Sequence, residues 1–292
     1  MKREDTMTSA LKTTVHYSIY EPTIVLRIKA VVIVVHDLGE NRHNYEHFAN
    51  ALSRQGYVVV VPDLVGHGES LVNFERGYFG DGDISQAIIK DYFKLQNIMI
   101  RKYPDTFYFM LGSGVGSNIA LLYASKYGDY LSGLMLLSPI RHFSHLTLRK
   151  LLTRMQIRFK GMHYHSKNRL LKLRPTHESG VVVKRRDQFN DHFTYASKAL
   201  EDIYQLVERT NSVETLQNIP HHLPMLFAGG KKDAMTHFLA ENKWLCHLYQ
   251  QEGFEEIRCK SYMQSGHHLL FDVEREDIYK DLLDYLNEHI YY

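Results

Sequence analysis

Cysteine is nearly absent from the 292-residue sequence, which has two, Cys246 and Cys259, alongside seven prolines and one tryptophan. So few thiols exclude a disulfide-framed scaffold and any zinc site built on paired cysteines, and the two are expected as reduced thiols. Long apolar runs are missing too. Near the start the longest is residues 30–35 (AVVIVV), far short of the roughly 20 residues needed to cross a bilayer. Residues 1–12 are polar and lack the apolar core of a secretory leader, so the expected location is the cytoplasm. Neither sign of charge dominates: 35 Lys and Arg against 33 Asp and Glu leave +2. That balance, with no matching motif, argues against nucleic acid as a partner.

What is present is 44% hydrophobic residues, enough for one large core, and a local excess of one charge. Residues 141–187 hold thirteen Lys and Arg against two acids. Such a region suits contact with a phosphate-bearing group or an anionic membrane surface.

Apolar runs at 30–35 and 57–61 read as buried strands, because a strand covered on both faces has no polar side, and 107–111, 133–137, 224–228 and 257–261 read as further strands. Residues 14–28 give weaker strand signals around Glu21-Pro22. Helical spacing at 44–55, at Ile88, Tyr92, Leu95 and Met99, and at 117–127, 238–251 and 277–289 falls between them. The alternation predicts an α/β fold, a mostly parallel central sheet flanked by helices. It lapses between Ile140 and Pro220, which divides the chain into core (1–138), an inserted basic helical cap (139–222) and core again (223–292). Within the insert, residues 146–159 are amphipathic. Leu148, Leu151, Leu152 and Met155 are expected to pack inward, leaving Arg149, Lys150, Arg154 and Arg158 for peripheral contact with anionic membrane.

In open α/β sheets ligands bind beyond the C-terminal strand ends. Those ends carry His36-Asp37-Leu38-Gly39-Glu40, then DLVGHGES at 63–70, GSGVGS at 112–117, the residues from Gly229 to Asp233, and Gly266-His267-His268. With GYFGDGD at 77–83 and FMLGSGVGSNIA at 109–120, they resemble the monoacylglycerol lipase and lysophospholipase branch of the α/β-hydrolases, also called serine aminopeptidase-like hydrolases. The resemblance covers nearly the whole chain, and DLVGHGES is similar to the family's D-x-x-G-H-G-x-S. It implies an α/β-hydrolase fold with a helical cap, a lipid-like or small ester as ligand, and a Ser, Asp, His triad in that order. Set on the family's G-H-S-M-G-G, GSGVGS puts Gly114 at the nucleophile and Ser113 one residue before it. The acid falls on Asp233, the base on His267, and the oxyanion amides on Leu38 and Val115. Asp37 stands where the family usually has glycine, and a carboxylate there opposes an oxyanion unless it points away.

Glycine at this turn relieves backbone strain and removes the acyl-enzyme route. Ser113 lies on a strand whose side chains alternate faces, so it substitutes only if the turn slips. Two functions stay open: a carboxylic-ester hydrolase, impaired or inactive, and a non-catalytic protein that binds a lipid or small molecule. No cofactor and no metal are expected, since the pairs His163/His165 and His221/His222 have no Cys or Glu at zinc-like spacing.

Overall fold

The computed structural model describes residues 1–23, 27–166 and 193–290. The sheet is built on β3 (Ala30–Val35), β4 (Val58–Pro62), β5 (Phe107–Ser113), β6 (Gly133–Leu137), β7 (Met225–Gly230) and β8 (Ile257–Tyr262), all parallel. The continuous apolar runs have a direct cause. In β3, Val31, Ile33 and Val35 join the core on one face and Ala30, Val32 and Val34 the core on the other, and all six are fully buried.

Two antiparallel strands, β1 (Lys2–Thr8) and β2 (Thr14–Tyr20), complete the order β1-β2-β4-β3-β5-β6-β7-β8. The polar first residues therefore form a strand that sequence patterning misses. Only Met7 of β1 is buried, so this edge strand has no apolar face to announce it.

Helices α1 (Glu46–Arg54), α2 (Ile84–Lys102) and α3 (Val115–Tyr127) lie between the strands up to β6, α7 (Ala240–Gln251) between β7 and β8, and α8 (Arg275–Glu288) after β8. Asp83 caps α2, its side chain accepting the Gln86 amide at 3.2 Å. Cys246 on α7 and Cys259 on β8 face each other with Cα atoms 6.3 Å apart and form a disulfide, which corrects the expectation of two free thiols. Pairing requires proximity across the helix–sheet interface, which a count of cysteines does not report.

Between β6 and β7 the chain leaves the sheet as α4 (Leu146–Lys160), α5 (Ser197–Thr210) and α6 (Val213–Asn218). Seven of the thirteen basic residues counted above fall in 167–192 and lie outside the described residues. Helix α5 buries Ala199, Leu200, Ile203, Tyr204, Leu206 and Val207. Helix α4 is turned the other way from expectation. Leu148, Leu151 and Met155 are 46%, 56% and 48% exposed, Phe159 is 75% exposed, and Leu152 is only partly buried. The inner side of the helix instead carries buried Thr153 with half-buried Arg149 and Lys150, Lys150 Nζ lying 2.7 Å from Glu208, while Arg154 stays exposed with Nε 3.5 Å from Glu201. No helix among the described residues is long and apolar enough to cross a membrane.

Candidate active site

β5 ends at Ser113 and α3 begins at Val115, so Gly114 alone makes the turn, at φ 54° and ψ −123°. This backbone geometry is disfavoured for any residue with a Cβ. The glycine also leaves room for a neighbour. A Cβ built on Gly114 falls onto the carboxylate of Asp37, the residue following the His36 that closes β3.

Asp37 points into the site. Its Oδ1 accepts the Val115 amide at 2.8 Å, and its Oδ2 lies 3.0 Å from Nε2 of His267. The Leu38 amide also stabilises the carboxylate. Both amides that the family resemblance assigns to an oxyanion thus address a side chain of the protein itself. The loop holds Asp37 firmly: Glu40 Oε2 accepts its amide at 3.0 Å and also accepts a hydrogen bond from the Tyr45 hydroxyl at 2.6 Å. His36 Nε2 accepts the Leu64 amide at 2.9 Å, so its Nδ1 carries the proton and donates to the Asp37 carbonyl at 2.7 Å.

His267 Nδ1 lies 2.7 Å from Asp233 Oδ2, and Asp233 also accepts the Met235 amide and the Thr236 hydroxyl, each at 2.8 Å. The imidazole is therefore clamped between two carboxylates, and all three residues are buried. Burial opposes a charge on His267, but Asp233 first and Asp37 second hold its pKa well above the usual histidine range. Burial likewise works against the Asp37 and Asp233 carboxylates, yet the His267 cation keeps both below their usual range. At neutral pH the trio is an ionised Asp–His–Asp bridge. In that state Nε2 donates a proton to Asp37, whereas a general base must accept one.

The other predicted residues sort out around this bridge. Ser113 turns its hydroxyl toward Tyr45 rather than His267. Ser117 donates to the Leu137 carbonyl at 2.9 Å. His268, next to His267 and partly buried, lies 3.0 Å from the buried Glu40, a pair that sequence reasoning missed; the signal was a second acid–histidine match in the same two strings. Asp272 sets the approach of His267 by accepting the Gly266 amide at 2.7 Å. The DLVGHGES loop is scaffolding: Asp63 accepts the Arg42 amide at 2.7 Å and the Glu69 amide at 3.0 Å, and ion-pairs with the buried Arg42 guanidinium. His67 stacks on Phe193 at 4.9 Å, and burial pushes its pKa down to about 3, so it is neutral.

Beyond Leu38 and Val115 lies an apolar space bounded by Val65, Ile119, Ile203 and Leu206, with Asp202 also at its wall. Its volume is about 10 Å³, the room of a single water. Asp202 Oδ2 is buried there without a hydrogen-bond partner. Burial raises the Asp202 pKa to about 6, against the pull of Lys198.

Two groups of three metal-capable side chains converge among the described residues. In Asp37, Glu40 and His268 the donor atoms are engaged with one another and with His267. The second is His142, His237 and Glu241. The pair His163/His165 meets an acid after all, since both rings bond Glu75, at 2.7 and 3.2 Å, from 88 and 90 residues away.

Residues 27–274 match the family described as serine aminopeptidase, S33. Monoglyceride lipase of Rattus norvegicus is 33% identical over 112 residues, which is 38% of this chain and 35% of that protein. A monoglyceride lipase homolog of Monkeypox virus is 28% identical over 113 residues, 38% of this chain and 39% of its own length. The matched stretch thus spans little more than a third of these curated relatives. Among solved structures, a thermostable carboxyl esterase from Bacillus coagulans superimposes with a TM-score of 0.86 at 22% identity, covering 99% of each chain. A soluble variant of monoglyceride lipase from Saccharomyces cerevisiae gives 0.76 at 16% identity, over 99% and 97%. These likenesses establish the architecture, and with the match over residues 27–274 the chain belongs to the serine aminopeptidase S33 family of α/β-hydrolases.

Proposed function

We propose that this protein keeps the frame of a lipid-ester hydrolase without its covalent chemistry, and that it binds a lipid-like or small ester ligand beneath the cap, taken as residues 139–222. The observation that carries this reading is the placement of Asp37. Its carboxylate fills the space a serine side chain would take on Gly114, bonds the Val115 amide and bridges to His267. An acyl-enzyme route needs three things here: a nucleophile, a neutral imidazole and free oxyanion donors. Gly114 supplies no nucleophile, the imidazole is held as a cation, and the donors face an anion. Hydrolysis by water activated at His267 is opposed by the same charge state.

Ligand binding is supported by the apolar residues of α5, Ile203 and Leu206, which meet Leu38 and Val115. At about 10 Å³ the space is collapsed, so admission of a ligand requires α5 to lift. Asp202 offers an acceptor to a hydroxyl or amine headgroup. The exposed stripe Leu148, Leu151, Met155 and Phe159, beside the exposed Arg154 and Arg158, suits docking on an anionic membrane from which such a ligand is taken.

The test pairs labelling with binding. The wild-type chain is expected to resist a fluorophosphonate probe and to leave a short-chain nitrophenyl ester unhydrolysed, while binding a fluorescent long-chain monoacyl lipid saturably. Labelling of the wild type, or absence of lipid binding, contradicts the proposal.

A further inference from the structure

We propose that His142, His237 and Glu241 form a binding site for a divalent transition-metal ion of the zinc class. The three come from separate parts of the fold: His142 from the chain leaving β6, His237 from the turn that follows Asp233, and Glu241 from the first turn of α7. Their ligand atoms all lie within 4.8 Å of one another. Nδ1 of His142 is 3.0 Å and Nδ1 of His237 is 2.9 Å from the same oxygen, Glu241 Oε1. Zinc–ligand bonds of about 2.0–2.2 Å place neighbouring tetrahedral donors roughly 3.3 Å apart, so little movement is needed to close this set on an ion. The two imidazoles are stacked, with centroids 5.0 Å apart and planes within 15°, so a modest rotation of one ring about its side-chain bonds is what closing on an ion requires.

The surroundings support the same reading. Glu241 is buried, and its second oxygen is fixed by the Arg141 amide at 2.9 Å, an outer contact of the kind that orients a ligating carboxylate. The Arg141 guanidinium lies over the Trp244 ring at 3.8 Å. His237, Phe238 and Leu239 have φ of 51°, 55° and 76°, three consecutive residues in the left-handed region that side chains with a Cβ disfavour. That turn leaves Phe238 57% exposed and delivers His237 to Glu241. Both histidine side chains are over 40% exposed, which gives an ion a route in and leaves a coordination position for water. Two imidazoles and one carboxylate suit zinc, copper or nickel far better than calcium or magnesium. A bound ion would tie the first residues of the insert to the helix behind the Asp233 loop.

The experiment titrates zinc chloride into the untagged, metal-stripped chain by calorimetry and repeats thermal melts with and without zinc. The wild type is expected to take up one ion per chain and to melt at higher temperature when loaded. His142→Ala and His237→Ala, both at exposed positions that tolerate truncation, are each expected to weaken binding at least tenfold and to remove the melting shift. Absence of zinc uptake by the wild type, or uptake unchanged in both variants, overturns the proposal.

Discussion

At Gly114 the backbone takes a geometry that a glycine adopts without strain, and the absent side chain is replaced from another loop by the Asp37 carboxylate. The exchange sets the electrostatics of the site. His267 has a raised pKa, so its stabilising contribution is complete below about pH 6.5, the unfolded value, and is lost as pH rises through the folded value. Asp37 has a lowered pKa, so its contribution is present above about pH 3.9 and is lost as pH falls through the folded value. The bridge therefore stabilises most between about pH 4 and 6.5. Asp37→Asn takes one carboxylate from the cation and is expected to lower stability by about 3 kcal/mol at pH 5.5. Toward pH 9 the deficit shrinks, because the wild type progressively loses the same contribution. Urea denaturation at the two pH values measures this, and a deficit independent of pH would show that Asp37 acts only by packing.

Among the elements, strands covered on both faces were legible in the sequence, since β3 and β4 carry continuous apolar runs for that reason. β1 was not, because its exposed edge gives a pattern indistinguishable from a polar tail. Helix α4 shows a different limit. Its amphipathic spacing is plain in the sequence, but the face that turns inward carries Arg149 and Thr153, which meet Tyr204 on α5, a contact that spacing along α4 does not report. The result is an outward row of Leu148, Leu151, Met155 and Phe159. Replacing Leu151 and Phe159 together by serine is expected to reduce sedimentation with phosphatidylserine-containing vesicles at least tenfold, from the apolar area lost. Their exposure predicts a change in folding stability within about 1 kcal/mol. Equal vesicle binding by the variant would remove α4 as the docking element.

Across the whole molecule, the site was legible wherever a short string ends a strand. Gly114, Asp233 and His267 are brought together from β5, β7 and β8, and Leu38 and Val115 stand beside them. What the strings withheld was side-chain direction and long-range partnership. Asp37 was visible as a departure, but only the three-dimensional path of the loop, fixed by His36, Glu40 and Leu64, aims it at His267. The Cys246–Cys259 pair and the trio of His142, His237 and Glu241 are likewise contacts between elements, which spacing along the chain does not encode.

The central claim is that Asp37 occupies the nucleophile's place and holds both the base and an oxyanion donor. It is tested most directly by fluorophosphonate labelling of Gly114→Ser, Asp37→Gly and the double variant, each first shown to be folded. Gly114→Ser alone is expected to stay unlabelled, because the new side chain meets the Asp37 carboxylate, and Asp37→Gly alone is expected to stay unlabelled for want of a nucleophile. Only the double variant should label and hydrolyse a short ester, by at least about 100-fold over the wild type, well within the roughly 10⁴-fold that a triad member is worth. Labelling of Gly114→Ser as rapid as that of the double variant would contradict it.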